Sequence, residues 1–272
     1  MIYQVKDILD KLENAIEYKL PFSHIRFGDG GLKFIHGMIN GEVGELQRIS
    51  AMEGLPYKQL DEILLLWGRS ARAADFIDTP EVYFNGKFWN RVRSYNKIMT
   101  RKTETKMREW KFYYDNAEFD NENYCNPESN YLMIVRQDGR KNLLDILKKR
   151  KICIITVFSE LRNLLYPLDV DVVQIVPKYK KQFDKSFKYV IDKIKNQVRD
   201  YDIWLIAAGE LGRVYSGMIK ECGGRAIDIG YVAEVWLNKD IHGRLQPFLN
   251  CSLSSPLELV LTDEGKKYEE YI

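Results

Sequence analysis

The sequence predicts an α/β fold: a Rossmann-like, mainly parallel sheet flanked by helices, with a helical insertion in the N-terminal half. Two features predict it. Beyond about residue 140, short apolar runs alternate with amphipathic segments of helical period, and strands joined by such crossovers pair mainly in parallel with right-handed connections. Three strand ends also carry glycine turns, at 26–31, 207–212 and 228–236, and the carboxyl ends of parallel strands are where open α/β sheets hold ligands. Residues 1–272 read as one α/β domain with a helical and irregular insertion at about 45–130.

Each element has its own warrant. Val5, Ile8, Leu9, Leu12, Ile16 and Leu20 recur at three- and four-residue spacing and predict an amphipathic helix that ends at Pro21. "FSHIRF" follows as a short strand, "GDGG" as its turn, and "LKFIHGMI" as a return to helical spacing. Leu46 to about Ala74 predicts a helical layer broken at Gly54-Leu55-Pro56. "EVYFNGKFW" is read as a hairpin or irregular loop, Tyr95–Tyr114 as a basic helix, and Asp115–Asn130 as a mobile loop or boundary rich in Asp, Asn and Glu. Then come a helix "NLLDILKKR", a buried strand "KICIITVF", a helix "SELRNLL" capped by Ser159, and a strand "VDVVQIVP". A long amphipathic helix leads to a third strand "YDIWLIAAG". A helix ending in a Gly pair and a fourth strand "RAIDIG" complete the order.

Composition narrows the function. With 41 basic and 39 acidic residues the net charge is +2, so no global field gathers nucleic acid, and any basic surface is local. Cys125, Cys153, Cys222 and Cys251 are too dispersed for a zinc site or a C-x-x-C redox motif, and reduced thiols are expected. No apolar run approaches the ~18 residues of a membrane span and the N-terminus lacks signal-peptide character, so a cytoplasmic protein is expected.

The glycine turns carry the chemistry. "AAGELG" follows an apolar strand and opens a helix, so its amides and the helix N-terminus suit a phosphate. Ala207 replaces the first glycine of G-x-G-x-x-G, while Asp228 lies 19 residues after Gly209, which leaves a Rossmann-type NAD or S-adenosylmethionine enzyme as an alternative. No P-loop is present. In "RFGDGG", Arg26 can neutralise a phosphate while Asp29 holds a divalent metal or a sugar hydroxyl. The rival reading pairs Arg26 with Asp29 simply to stabilise the turn.

"SHIRFGDGG" together with "AAGELGRVYSGMIKECGGRAIDIGYV" resembles the GT-D type of bacterial glycosyltransferases, which carry R-x-G-D-G-E near one end and an A-I-D-I-G-H segment near the other. The resemblance implies a Rossmann-like sheet, sugar transfer from a nucleotide donor and a D-x-E metal motif. It places Arg26, Gly28, Asp29 and Gly30 in the first motif, Gly209 at the phosphate turn, and Asp228, Ile229 and Gly230 in the second acidic turn. Two positions depart from it: Gly31 stands where the family has the Glu of D-x-E, and Tyr231 where it has His. Either the enzyme works without a protein-built Mn²⁺ or Mg²⁺ cage, or Glu234 or His242 substitutes, or the chain is an inactive nucleotide-sugar or partner-binding module.

The reading that follows is a glycosyltransferase using a nucleotide-sugar, a UDP-sugar first among them, with a glycan, glycoprotein or modified nucleic acid as acceptor. Asp29, Asp228 and Glu234 are the candidate catalytic carboxylates, and Asp29 is also the candidate metal ligand. Arg26, Gly28, Gly30, Gly209, Glu210, Gly230 and Tyr231 are the candidate substrate-binding positions.

Overall fold

A computed structural model describes residues 2–26, 43–78, 124–125, 133–134, 142–237, 249–250 and 260–261. Its strands are β1 (Ile2–Tyr3), β2 (Phe22–Ile25), β3 (Phe76–Asp78), β4 (Tyr124–Cys125), β5 (Lys151–Thr156), β6 (Asp169–Gln174), β7 (Ile203–Ala207), β8 (Arg225–Asp228), β9 (Leu249–Asn250) and β10 (Val260–Leu261). The α-helices are α1 (Val5–Glu17), α2 (Val43–Met52), α3 (Leu60–Ala73), α4 (Leu143–Leu147), α5 (Leu161–Leu164), α6 (Lys188–Gln197), α7 (Leu211–Glu221) and α8 (Val232–Trp236). Eight strands form one sheet in the order β1-β4-β3-β2-β8-β7-β5-β6, with every pairing parallel. β9 and β10 pair antiparallel with each other.

The central strands are apolar on both faces, as a sheet covered on two sides demands. In β5, Ile152 and Ile154 face one core while Cys153 and Ile155 face the other; in β7, Ile203 and Leu205 alternate with Trp204 and Ile206 in the same way. The first core is closed by α1, α4, α5 and α8, and the second by α2, α3, α6 and α7. The predicted Rossmann-like α/β sheet is therefore observed. α3 and α7 lie so close that a Cβ added to Gly217 would overlap Ser70, which is why a glycine sits mid-helix there.

Four expectations need correction or completion. Leu20 was expected on the buried stripe of the first helix, but α1 stops at Glu17, Lys19 turns left-handed at φ 53°, and Leu20 is 53% exposed. Ser159 does not cap α5: the helix starts after Glu160, whose own side chain makes no capping hydrogen bond. The 115–130 stretch, expected as a loop, supplies β4, because the sheet edge offers Tyr124 and Cys125 backbone partners in β3 and β1. The long helix before β7 contains a π-helical turn, Phe183–Phe187, ahead of α6. The readings of "LKFIHGMI", "EVYFNGKFW" and Tyr95–Tyr114 lie outside the described residues.

Candidate functional site

The chain turns to opposite faces of the sheet at two adjacent strands. After β7 it enters α7 on the second core; after β8 it enters α8 on the first. Neighbouring strands whose connections diverge in this way leave a crevice at their carboxyl ends, the usual ligand position in such sheets. β2 lies against β8 on the other side, so Arg26, Ala208–Glu210 and Asp228–Tyr231 arrive at the same edge.

Asp228 ends β8 and is buried at 5% exposure. Its Oδ1 accepts the N–H of Gly230 at 3.0 Å, closing a tight acidic turn. Gly230 has φ 48°, and a Cβ there would collide with the guanidinium of Arg26. Glycine thus serves twice, by allowing the left-handed backbone and by letting Arg26 lie flat on the turn. The Arg26 Cζ also stands 5.7 Å from the centre of the Tyr231 ring, a cation–π distance. Tyr231, in the position where the resemblance has His, is an aromatic platform for this arginine.

The β7–α7 turn is built differently. Gly209 is exposed, with φ 57° and, among the described residues, nothing within 4 Å of the place a Cβ would occupy, so its backbone is open to close approach from that side. α7 begins immediately after it, turning its N-terminal amides and positive dipole end to the crevice. Gly212 in the first turn lets the helix pass over the sheet: a Cβ there would stand 3.3 Å from Ile206 Cγ2 and 3.6 Å from Asp228 Oδ2. Glu210 is paired with Arg213, both nearly buried. Arg213 Nε donates to the main-chain carbonyl of Arg26 at 2.7 Å, and its Cζ lies 4.7 Å from the Trp67 ring centre.

The structure thus brings together Arg26, Gly209, Glu210, Asp228, Gly230 and Tyr231, while Glu234 sits partly buried on α8, one turn beyond Tyr231. Glu210, expected to bind substrate, engages Arg213. Gly28, Asp29, Gly30, Gly31 and His242 lie outside the described residues. Sequence reasoning missed Arg213 and Trp67. The available signal was an arginine three residues after Glu210 whose helix neighbours, Leu211, Gly212, Val214, Tyr215 and Ser216, are all uncharged.

Burial also perturbs ionisation nearby. The Tyr215 phenol, in α7 below the turn, is pushed up by desolvation, while Arg225 at the opposite end of β8 is pulled down by burial against the opposing field of Asp202. Among the described residues no three His, Cys, Asp or Glu side chains gather as a cation cage.

No curated protein matches the chain. A solved structure of domain of unknown function 1792, described as having a distinct glycosyltransferase fold, superposes with a TM-score of 0.52 at 14% identity, covering 100% of this chain and 94% of that one. A selenomethionine-substituted structure of domain of unknown function 1792 gives 0.51 at 14% identity with the same coverage. The sequence model of the GT-D fold-like domain matches residues 3–236, and the chain belongs to that family.

Proposed function

We propose that the protein is a glycosyltransferase that takes its sugar from a nucleoside-diphosphate donor held at the carboxyl edge of β2, β7 and β8. The observation that carries this reading is Arg26 laid on the Gly230 turn beside Asp228, with the exposed Gly209 turn and the α7 N-terminus on the neighbouring strand. A guanidinium and a helix N-terminus together suit the diphosphate, whose charge grows as the sugar leaves. The acceptor hydroxyl attacks the anomeric carbon, the carbon–oxygen bond to the diphosphate breaks, and the acceptor proton passes to a carboxylate. Asp228 is the base in this scheme; Glu234 stands second, one turn along α8.

A Mn²⁺ or Mg²⁺ ion would add positive charge to the diphosphate. The described carboxylates at the edge are engaged by Arg213 and by the Gly230 amide, and do not themselves build a cage, so no step is assigned to a cation. Asp29 remains the proposed ligand on the resemblance.

Thermal shift with UDP, GDP, ADP, NAD and S-adenosylmethionine tests the reading, followed by release of the diphosphate from the matching nucleotide-sugar. Stabilisation by a nucleoside diphosphate together with turnover supports it. Stabilisation by NAD or S-adenosylmethionine instead would replace it with the cofactor reading, and diphosphate binding without turnover would leave a binding module.

A further inference from the structure

The segment from Lys178 to Tyr189 follows β6 at the carboxyl edge. Its backbone departs twice from regular geometry: Lys181 is left-handed at φ 58°, and the π-helical turn Phe183–Phe187 follows directly. Among the described residues, the other non-glycine positions with positive φ, Lys19 and Lys149, precede β2 and β5 at the amino edge. Such geometry recurs at functional surfaces.

The inward side of the segment is fixed to the site. Buried Gln182 donates Nε2 to the carbonyl of Ala208, beside Gly209, at 3.3 Å, and the Phe183 amide donates to Gly54 O at 3.3 Å. Phe183 stacks on Phe187 at 4.4 Å, and Phe187 lies 5.9 Å from Tyr215. What remains outside is Lys178, Lys180, Lys181, Lys185 and Lys188, with Tyr179 and Tyr189 at 76% and 50% exposure. Glu53 takes Lys178 at 3.1 Å, and Lys180 lies 5.9 Å from the Tyr179 ring centre. Among the described residues, no carboxylate is within ion-pair distance of the other four lysines. Asp184 is the single acid between 178 and 189. The Gly54 turn that packs on Lys178 leads on to exposed Tyr57 and Lys58.

We propose that this face docks the protein on an anionic lipid bilayer, with the carboxyl edge of the sheet turned toward the headgroups. The residue types favour a diffuse negative surface. No arginine occurs between Pro177 and Val198, and lysine ammoniums act as point charges where arginine forks would select individual phosphates. Exposed tyrosines suit the headgroup level, with an apolar ring and a wet hydroxyl. A partner that reads nucleic-acid bases would call for arginines or base-reading amides, and the segment's glutamine is buried and engaged; phosphate contact without base readout is the outcome that the duplex arm of the test detects. The proposal deepens the glycosyltransferase reading by making the acceptor one carried at a membrane surface. It rests on that reading only for the acceptor, since docking is measured without turnover.

The test is co-sedimentation of the full chain with phosphatidylcholine vesicles, with and without phosphatidylglycerol, at low and physiological salt. Partition is expected only with phosphatidylglycerol, falling as salt rises. Lys180→Glu with Lys181→Glu should lower it about tenfold or more, and Tyr179→Ala with Tyr189→Ala by less. The pair Lys19→Glu with Lys149→Glu, the same charge change at the amino edge, should leave it unaltered. Thermal transitions of all variants establish that they fold. Three results would overturn the proposal: no partition into anionic vesicles, equal loss from either charge-reversed pair, or duplex binding at this face without lipid binding.

Discussion

Arg213 Nε donates to the main-chain carbonyl of Arg26 at 2.7 Å, joining residues 187 positions apart in the chain. The same guanidinium pairs with Glu210 and covers the Trp67 ring, so it ties the β7–α7 turn to the end of β2. Removing one partner of a buried ion pair leaves an uncompensated charge at a cost of about 3–5 kcal/mol. Arg213→Met and Glu210→Gln are each expected to destabilise on that scale, and the double variant by clearly less than their sum. Urea denaturation of the four proteins measures the coupling; strictly additive losses would show that the pair is not a unit.

Gly230→Ala should damage the site more than the fold. The added methyl meets the Arg26 guanidinium, and φ 48° disfavours any side chain. About 1 kcal/mol of stability is expected to go with the backbone strain, against roughly a hundredfold in turnover from moving Arg26. Chemical denaturation and steady-state kinetics on the same preparation separate the two effects. Unchanged kinetics would remove Arg26 from the donor site.

Asp228→Asn keeps an oxygen to accept the Gly230 amide, and so keeps the turn. If Asp228 is the base, kcat should fall by about 10²–10⁴ while diphosphate binding persists. Loss of less than threefold would pass the role to Glu234, whose change to Gln is the companion experiment.

Alkaline pH should weaken the fold through groups buried in their protonated form. Tyr215 ordinarily ionises near 10.0 and Cys153 near 9.0, and burial raises both in the native state. The unfolded chain therefore releases protons that the native chain retains, so these contributions are complete below those values and are lost as pH rises through them. Among the described residues, the Tyr215 hydroxyl is also buried without a hydrogen-bond partner. Tyr215→Phe should consequently be neutral or slightly stabilising at pH 7 and should flatten the decline above pH 10. Urea midpoints at pH 7, 9 and 10.5 decide it, and a loss above about 2 kcal/mol at pH 7 would mean the hydroxyl is bonded.

Local sequence carried the centre of the sheet because the central strands obey one local rule: β5 is apolar at every position between Lys151 and Thr156, and β7 is apolar throughout, which suits burial on both faces. The glycine turns were legible for the same reason, as Gly209 and Gly230 adopt backbone angles that other residues resist. The edges were not. β1 and β4 are two residues each, and Tyr124 and Cys125 lie in a polar stretch whose strand geometry comes from neighbours far away in sequence. Arg213 was hidden because a Glu and an Arg three apart on a helix are the ordinary pattern of a solvated pair. Only packing against Trp67 and the Arg26 carbonyl makes this one a buried tie. Tyr231 was visible as a departure from a motif, but its ring's place beside Arg26 depends on how β2 meets β8.

The strand order has a consequence for how the site comes into being. β1 to β4 come from residues 2–125 and β5 to β8 from residues 151–228, and within the sheet these two sequence-contiguous halves meet at the single β2–β8 seam. Arg26 belongs to the first half; Gly209, Arg213, Asp228 and Gly230 belong to the second. Neither fragment owns the whole of the proposed site, so binding of a nucleoside diphosphate is expected to report that the halves have docked. A donor that bridges the seam acts as a clamp across it, and it should hold together two separately expressed fragments that associate only weakly alone.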